Sequence, residues 1–307
     1  MDDFNRVIEN EPNLGDAYSQ RGLIYQITRQ GDLAIEDFTK AISLLSAPNV
    51  LSKLHYNRGV TYSEMSDNSK AMDDFSRAIE LDPSFHAAYN NRGLLYTRME
   101  EEELAIKDFS KAIDLDPNFS DFYYNRGNSY CAIGEYENAM SDYTKCIELE
   151  PSFDCYYNRG NLHFGYQSID KAIDDFTKSI ELKSDFSMSW MHRGNAYCKI
   201  SNYDLAIVDL TRAIELNPNF PGGYFNRGIA FTLTKDYSKA LDDFTRVIEI
   251  VPTLGPHMEM LLPLHASAYH LRGNVYQNMQ ETEKAQLDFK KAIELNPALE
   301  SVINYKE

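Results

Sequence analysis

A chain of 307 residues is long enough for one large domain, a pair of domains or an array of repeats. With 43% hydrophobic and 25% charged residues it has the composition of a folded protein rather than a disordered one. A formal charge of −17 and a pI near 4.8 exclude the concentrated basic surface that nucleic acid or an anionic membrane would require. The chain has no run of 18 consecutive apolar residues, and its start, MDDFNRVIEN, is acidic and amphipathic, so neither a secretory leader nor direct membrane insertion is expected.

In chain order, residues 1–14 read as a lone second helix, because MDDFNRVIE echoes MDDFSRAIE at 72–80 and LDDFTRVIE at 241–249. An array that begins inside a repeat suggests a piece of a longer one. Repeats follow at 15–51, 52–85, 86–119, 120–152, 153–186, 187–220 and 221–252, then an insertion at 253–264, an eighth repeat at 265–298 and a tail or cap at 299–307. The ruler is Arg-Gly, at Gly22, Gly59, Gly93, Gly127, Gly160, Gly194, Gly228 and Gly273, spaced 37, 34, 34, 33, 34, 34 and 45 residues apart.

Each repeat predicts two helices. The first carries large residues four before and three after the glycine, such as Tyr123 and Tyr130 around Gly127, which is one face of a 3.6-residue period. The second carries a small–aromatic–small stripe, such as Ala105, Phe109 and Ala112, and stops near a proline such as Pro117, which cannot continue a helix. Glycine and alanine at facing positions allow close backbone approach while the aromatic fills the gap.

This pattern resembles the tetratricopeptide repeat, whose 34 residues carry an aromatic, Leu-Gly, Tyr, Ala, Phe, Ala and Pro. Trp190, Gly194, Tyr197, Ala206, Ala213 and Pro218 match it within one copy. The resemblance spans nearly the whole chain. It implies an all-α, right-handed superhelical solenoid of stacked antiparallel helix pairs, with first helices lining a concave face.

The departure from the family is the residue before the glycine, arginine in all eight copies where the family has leucine: Arg21, Arg58, Arg92, Arg126, Arg159, Arg193, Arg227 and Arg272. These arginines share the inward stripe, where an unpaired cation is very costly. A partner is at hand in the aspartate that precedes each aromatic slot: Asp37, Asp74, Asp108, Asp142, Asp175, Asp209, Asp243 and Asp288. Pairing within the repeat (Arg126 with Asp142) and across its boundary (Arg126 with Asp108) both fit the stripe, and Asp3, with no arginine of its own repeat, favours the second through Arg21. The alternative is a groove of arginines gripping carboxylates or phosphates, which eight aspartates in register would neutralise.

A ligand is expected on first-helix residues facing away from the core. Three and two before the glycine and one after it stand Asn57, Asn90, Asn91, Tyr124, Asn125, Asn128, Tyr157, Asn158, Asn161, His192, Asn195 and Asn226. Asparagine carries a donor and an acceptor and pairs with any peptide bond, while the aromatics add apolar contact. The bland reading is that asparagine beside the glycine only assists packing. A lysine-lined carboxylate clamp for chaperone tails, known in this family, fits poorly, because Lys53 and Lys199 are isolated.

The apolar insertion TLGPHMEMLLPL reads as a loop in which Met258, Met260, Leu261 and Leu262 form a partner patch or fold over their neighbours. Glu100 to Glu103 read as a solvated turn. No Gly-rich phosphate loop, GxSxG or HExxH is present, His163 takes a tyrosine slot, and neither a catalytic residue, a metal site nor a cofactor is expected. Cys131, Cys146, Cys155 and Cys198 form no CxxC pair and no zinc spacing, which predicts reduced thiols and a cytoplasmic, intracellular setting. The sequence therefore reads as a non-enzymatic scaffold or adaptor for a partner protein or extended peptide. The alternatives are the targeting region of a larger multidomain protein or enzyme and, lower, a chaperone co-factor.

Overall fold

The computed structural model describes residues 2–303, apart from the side chains of Asp2 and of residues 256–259. All regular structure among them is helical, in two compact units, 1–151 and 152–307. The first unit holds α1 (Asp2–Asn10), α2 (Gly15–Ile27), α3 (Gly31–Leu44), α4 (Pro48–Glu64), α5 (Asn68–Leu81), α6 (His86–Arg98), α7 (Glu102–Leu115), α8 (Ser120–Ala132) and α9 (Tyr136–Leu149). The second holds α10 (Phe153–Gly165), α11 (Ile169–Leu182), α12 (Ser187–Lys199), α13 (Tyr203–Leu216), α14 (Pro221–Leu233), α15 (Tyr237–Ile250), α16 (Met258–Asn278) and α17 (Thr282–Leu295). Each even-numbered helix packs on the odd-numbered helix after it, and within each unit first helices also neighbour first helices.

Three-residue turns join the paired helices, and the middle residue of every one has a positive φ: Arg29, Ser66, Glu100, Gly134, Gln167, Ser201, Lys235 and Gln280. Only Gly134 adopts that conformation without steric cost. The expected glutamate turn is part of this scheme, with Glu100 at φ 61° and Glu102 and Glu103 in the first turn of α7, where the helix dipole favours negative charge.

The small–aromatic–small stripes are the core: Ala34, Phe38, Ala71, Phe75, Ala105 and Phe109 are almost wholly buried. The repeat's glycine meets the aromatic directly. A Cβ at Gly127 would stand 2.9 Å from the Tyr143 ring, and one at Gly194 would stand 2.8 Å from Leu210 Cγ, so neither position has room for a side chain.

The arginine of each repeat bonds the aspartate sixteen residues on, in its own repeat, from Arg21–Asp37 to Arg272–Asp288. Arg126 Nε and Nη2 donate to the two Asp142 carboxylate oxygens at 2.8 Å each, a bidentate fork. The cross-boundary alternative, Arg126 with Asp108 or Arg21 with Asp3, does not form. The remaining nitrogen crosses that boundary instead, to a neutral acceptor: Arg126 Nη1 donates to Ser110 Oγ at 3.0 Å, and Arg58, Arg92, Arg193, Arg227 and Arg272 donate likewise to Thr39, Ser76, Thr177, Thr211 and Thr245. For Arg21 the acceptor is Asn5 in α1. The two large residues of the first helix flank the guanidinium, with Tyr123 and Tyr130 at 5.8 and 5.7 Å from that of Arg126.

Two expectations fail. The insertion is not an open loop: Val251–His257 forms 3-10 turns broken by a kink at Gly255 (φ 55°), and α16 extends the eighth repeat's first helix back to Met258, with Pro263 inside it forgoing a backbone bond. Leu261 and Leu264 pack on Val247, Val251 and Ala268, Leu262 is half-buried, Met260 is 81% exposed, and Met258 lies outside the described side chains. Nor are all the thiols reduced. Cys131 and Cys198 are free, whereas Cys146 and Cys155 are disulfide-bonded, since sequence spacing alone does not decide which cysteines meet. The argument for a cytoplasmic setting from reduced thiols falls with them. The tail starts with the 3-10 turn Pro297–Ser301, and Leu299 and Ile303 close over Ala285, Phe289 and Ala292, while residues 304–307 of the expected cap lie outside the described part.

Replacing Arg126 by leucine leaves the Asp142 carboxylate buried and unpaired and is expected to cost about 3–5 kcal/mol. Arg126→Leu with Asp142→Leu should recover most of that in urea unfolding, and Arg126→Leu with Asp108→Leu should recover none. In the turns, Lys235→Gly should stabilise by about 0.5–1 kcal/mol and Gly134→Ala should destabilise by about 1 kcal/mol in the same assay.

Candidate functional site

The first-helix residues expected to meet a ligand are half-buried, and several of them bond one another. In the first unit Asn125 Nδ2 donates to Asn90 Oδ1 at 3.0 Å, Asn90 Nδ2 to Asn91 Oδ1 at 3.4 Å, and Asn91 Nδ2 to the Tyr56 hydroxyl at 3.0 Å. This ladder joins α8, α6 and α4. Its rule is one of register, because the residue three before the glycine bonds the residue two before the next repeat's glycine, 35 positions on. The second unit repeats it with Tyr157 Oη and His192 Nε2 at 3.3 Å between α10 and α12. Where the pair is apolar, as in Phe225 and Leu271, the same positions join the core around Phe244.

The other expected residues do different things. Asn128 Oδ1 accepts from the Tyr143 hydroxyl at 2.8 Å, which ties it to the one tyrosine in a slot that otherwise holds Phe or Leu. The Tyr124 ring lies 6.3 Å from that of Tyr143, in a tilted arrangement. Asn161 Oδ1 is occluded with no partner. Asn158, Asn195 and Asn226 are half-buried on α10, α12 and α14. Asn57 lines a cleft of about 720 Å³ between α2 and α4, and its carbonyl accepts from Gln26 Nε2 at 3.2 Å. Ile27, Val60 and Met65 also line this cleft; sequence reasoning missed Ile27 and Met65 because they stand outside the amide positions, and Val60, one after Gly59, because it is no amide.

Burial pushes the His192 imidazole down to about 4, so at neutral pH it is uncharged and packs edge-on against Tyr157 with ring centroids 5.3 Å apart. His163, in its tyrosine slot, is also lowered, by burial first, with Asp175 opposing. Burial raises the Asp74 carboxyl, but hydrogen bonds from Arg58 and His55 outweigh it and hold it below the ordinary range. The eight arginines thus belong to structural pairs, not to an open anion-gripping groove. No helix among the described residues is long and apolar enough to cross a membrane.

Models of the tetratricopeptide repeat match residues 15–44, 52–85, 86–119, 120–153, 153–186, 187–220 and 266–299, well over half of the chain. The chain is 35% identical over 75 residues to heat shock protein STI1 of Saccharomyces cerevisiae, covering 24% of this chain and 12% of that protein. It is 30% identical over 88 residues to photosystem I assembly protein Ycf3 of Acaryochloris marina, covering 28% of this chain and 53% of that one. It thus spans about half or less of the length of these relatives. Among solved structures it resembles YrrB, described as a TPR protein with an unusual peptide-binding site, at a TM-score of 0.53 and 23% identity over 58% of this chain and 92% of that one.

His192 gives a testable pH dependence. Its imidazole titrates near 4 in the fold and near 6.5 unfolded, so the unfolded chain binds more protons between these values. The stabilisation from keeping it neutral is full above 6.5 and is lost as pH falls towards 4. In His192→Phe, the stability difference between neutral pH and pH about 4.5 should shrink by about 2–3 kcal/mol, read from urea midpoints at the two pH values.

Proposed function

The chain belongs to the tetratricopeptide repeat family, and from that premise we propose that it is a scaffold or adaptor that binds an extended segment of a partner protein along its first helices. The observation that carries this reading is the ladder of amides and phenols crossing from one first helix to the next, Asn125–Asn90–Asn91–Tyr56 in the first unit and Tyr157–His192 in the second. Each amide has more donor and acceptor positions than the ladder occupies, and these pair with backbone amides of an extended chain whatever its sequence. The ladder also locks side-chain rotamers in advance, which lowers the entropic cost of binding. YrrB's peptide-binding site supports the same kind of use. With a net charge of −17, the partner is a protein and not a nucleic acid, and the binding face carries no catalytic step of its own.

The match to STI1 favours a second reading, a chaperone co-factor. Against it, Lys53 on α4 and Lys199 on α12 are the groove's isolated lysines and lie in different units. A clamp needs cations on successive helices to hold a carboxylate from several sides.

The test is affinity purification with the wild type and with Asn90→Ala/Asn125→Ala, each checked for unchanged helicity. The partners recovered by the wild type should be depleted about tenfold or more in the variant. Identical partner lists would remove the first-helix reading.

A further inference from the structure

A second surface lies at the turns and meets the ladder only at Tyr56, which lines the same cleft as Met65. In the first unit the residues that cap the C-termini of α4, α6 and α8 are Met65, Met99 and Ile133, exposed to 46%, 54% and 36%. The cap's work is done by the backbone, as where the Met99 N–H bonds the Leu95 and Tyr96 carbonyls, so nothing in the helix end demands a large apolar side chain. Isolated exposed apolar residues need no explanation, but these three recur at one register on stacked helices, 34 residues apart. Met65 also reaches across a repeat boundary. A Cβ at Gly31, the first residue of α3, would stand 2.5 Å from Met65 Sδ. At the end of the row Met65 and Ile27, which is 80% exposed, share the cleft between α2 and α4.

Charge decides what fits there. Glu64, Glu100, Glu101, Glu103 and Glu135 are exposed beside these apolar residues, and in the same acidic run Glu102 Oε2 is occluded without a partner. Of the nearby cations, Lys70 pairs with Asp67 and Arg98 donates to Ser63, while Arg29 lines the cleft together with Glu64. In the second unit Tyr166 and Ile200 hold the same register and are similarly exposed, but the residues after them are Gln167 and Ser168, and Ser201 and Asn202. In the second unit only Met279, followed by Glu281 and Glu283, repeats the pairing of an exposed apolar cap with acids, whereas in the first unit acid and apolar side chains alternate over successive repeats.

We propose that this edge of the first unit docks a basic amphipathic segment of a partner protein. Its apolar face lies on Met65, Met99 and Ile133, one apolar side chain enters the cleft beside Ile27, and its lysines or arginines meet the glutamates. Methionine's unbranched thioether adapts to different apolar shapes, which suits such a row. A second copy of this chain is the poorer occupant, because two molecules each of charge −17 repel one another.

The test uses the whole chain and a synthetic amphipathic helix of leucine and lysine, with a leucine–glutamate helix as its counterpart, in fluorescence anisotropy at low and high salt. The leucine–lysine helix should bind, more weakly at high salt. Binding should fall about tenfold or more in Met65→Ser/Met99→Ser/Ile133→Ser and in Glu100→Gln/Glu101→Gln/Glu135→Gln. It should be unchanged in Asp73→Asn/Glu80→Gln/Glu148→Gln, which removes the same charge from the second helices. It should also be unchanged in Asn90→Ala/Asn125→Ala, so that failure of this edge and failure of the ladder are told apart. All of these substitutions fall on exposed or half-buried positions, and equal melting temperatures confirm the fold. The proposal is overturned by no binding, by equal binding of the leucine–glutamate helix, by equal loss in the second-helix variant, or by loss in the ladder variant alone. Self-association abolished by Met65→Ser/Met99→Ser/Ile133→Ser would likewise overturn it.

Discussion

The arginine fork is the interaction on which each helix pair depends. Placing a guanidinium where the family usually has leucine brings a cation into the packed stripe, and that is tolerable only because two of its nitrogens meet a carboxylate of the same repeat at 2.7–2.9 Å. The flanking rings then follow from the arginine as much as from the core, since Tyr18 and Tyr25, or Trp190 and Tyr197, present faces to a planar cation. Where a histidine takes a ring's place, it turns to the aspartate, as His55 does to Asp74 at 2.7 Å. The glycine beside the arginine brings the helices close enough for the fork to close.

The periodic elements were legible because close packing leaves few choices. A glycine that cannot carry a Cβ, an alanine stripe and an aromatic slot repeat so regularly that helix pairs, pairing order and core follow from spacing alone. The aspartate partner was legible too, but not which repeat supplies it, since Asp108 and Asp142 share a stripe. That choice is made by reach, since Nε and Nη2 of Arg126 both meet the Asp142 carboxylate while the neighbouring repeat offers Nη1 the neutral acceptor Ser110. The insertion misled because prolines and a change of period read as a loop, while the apolar contacts of Leu261 and Leu264 carry α16 back through them.

For the surface, direction was legible and partnership was not. The amide positions face away from the core, as a 3.6-residue period requires, but that Asn90 meets Asn125 and that Tyr157 meets His192 depends on the stagger between repeats, which no single repeat encodes. Asn128 illustrates the limit. Its helical face is right, yet one hydroxyl on Tyr143 claims its oxygen. The eight buried pairs remove equal numbers of each sign, so the excess of 47 acidic over 30 basic residues stands entirely outside them.

The asymmetry of the arginine's bonds has a consequence for how such an array is assembled over time. Each repeat balances its own buried charge, and all it asks of the preceding one is a neutral acceptor, met interchangeably by Thr39, Ser76, Ser110, Thr177 or Asn5. A copy duplicated, deleted or exchanged at such a boundary strands no ion in the core, and of the arginine's own bonds it puts at stake only the neutral one, about 1 kcal/mol. Had the fork closed across the boundary, every such event would have left a lone aspartate or arginine buried. The lineage of this chain is therefore free to change its length in whole repeats.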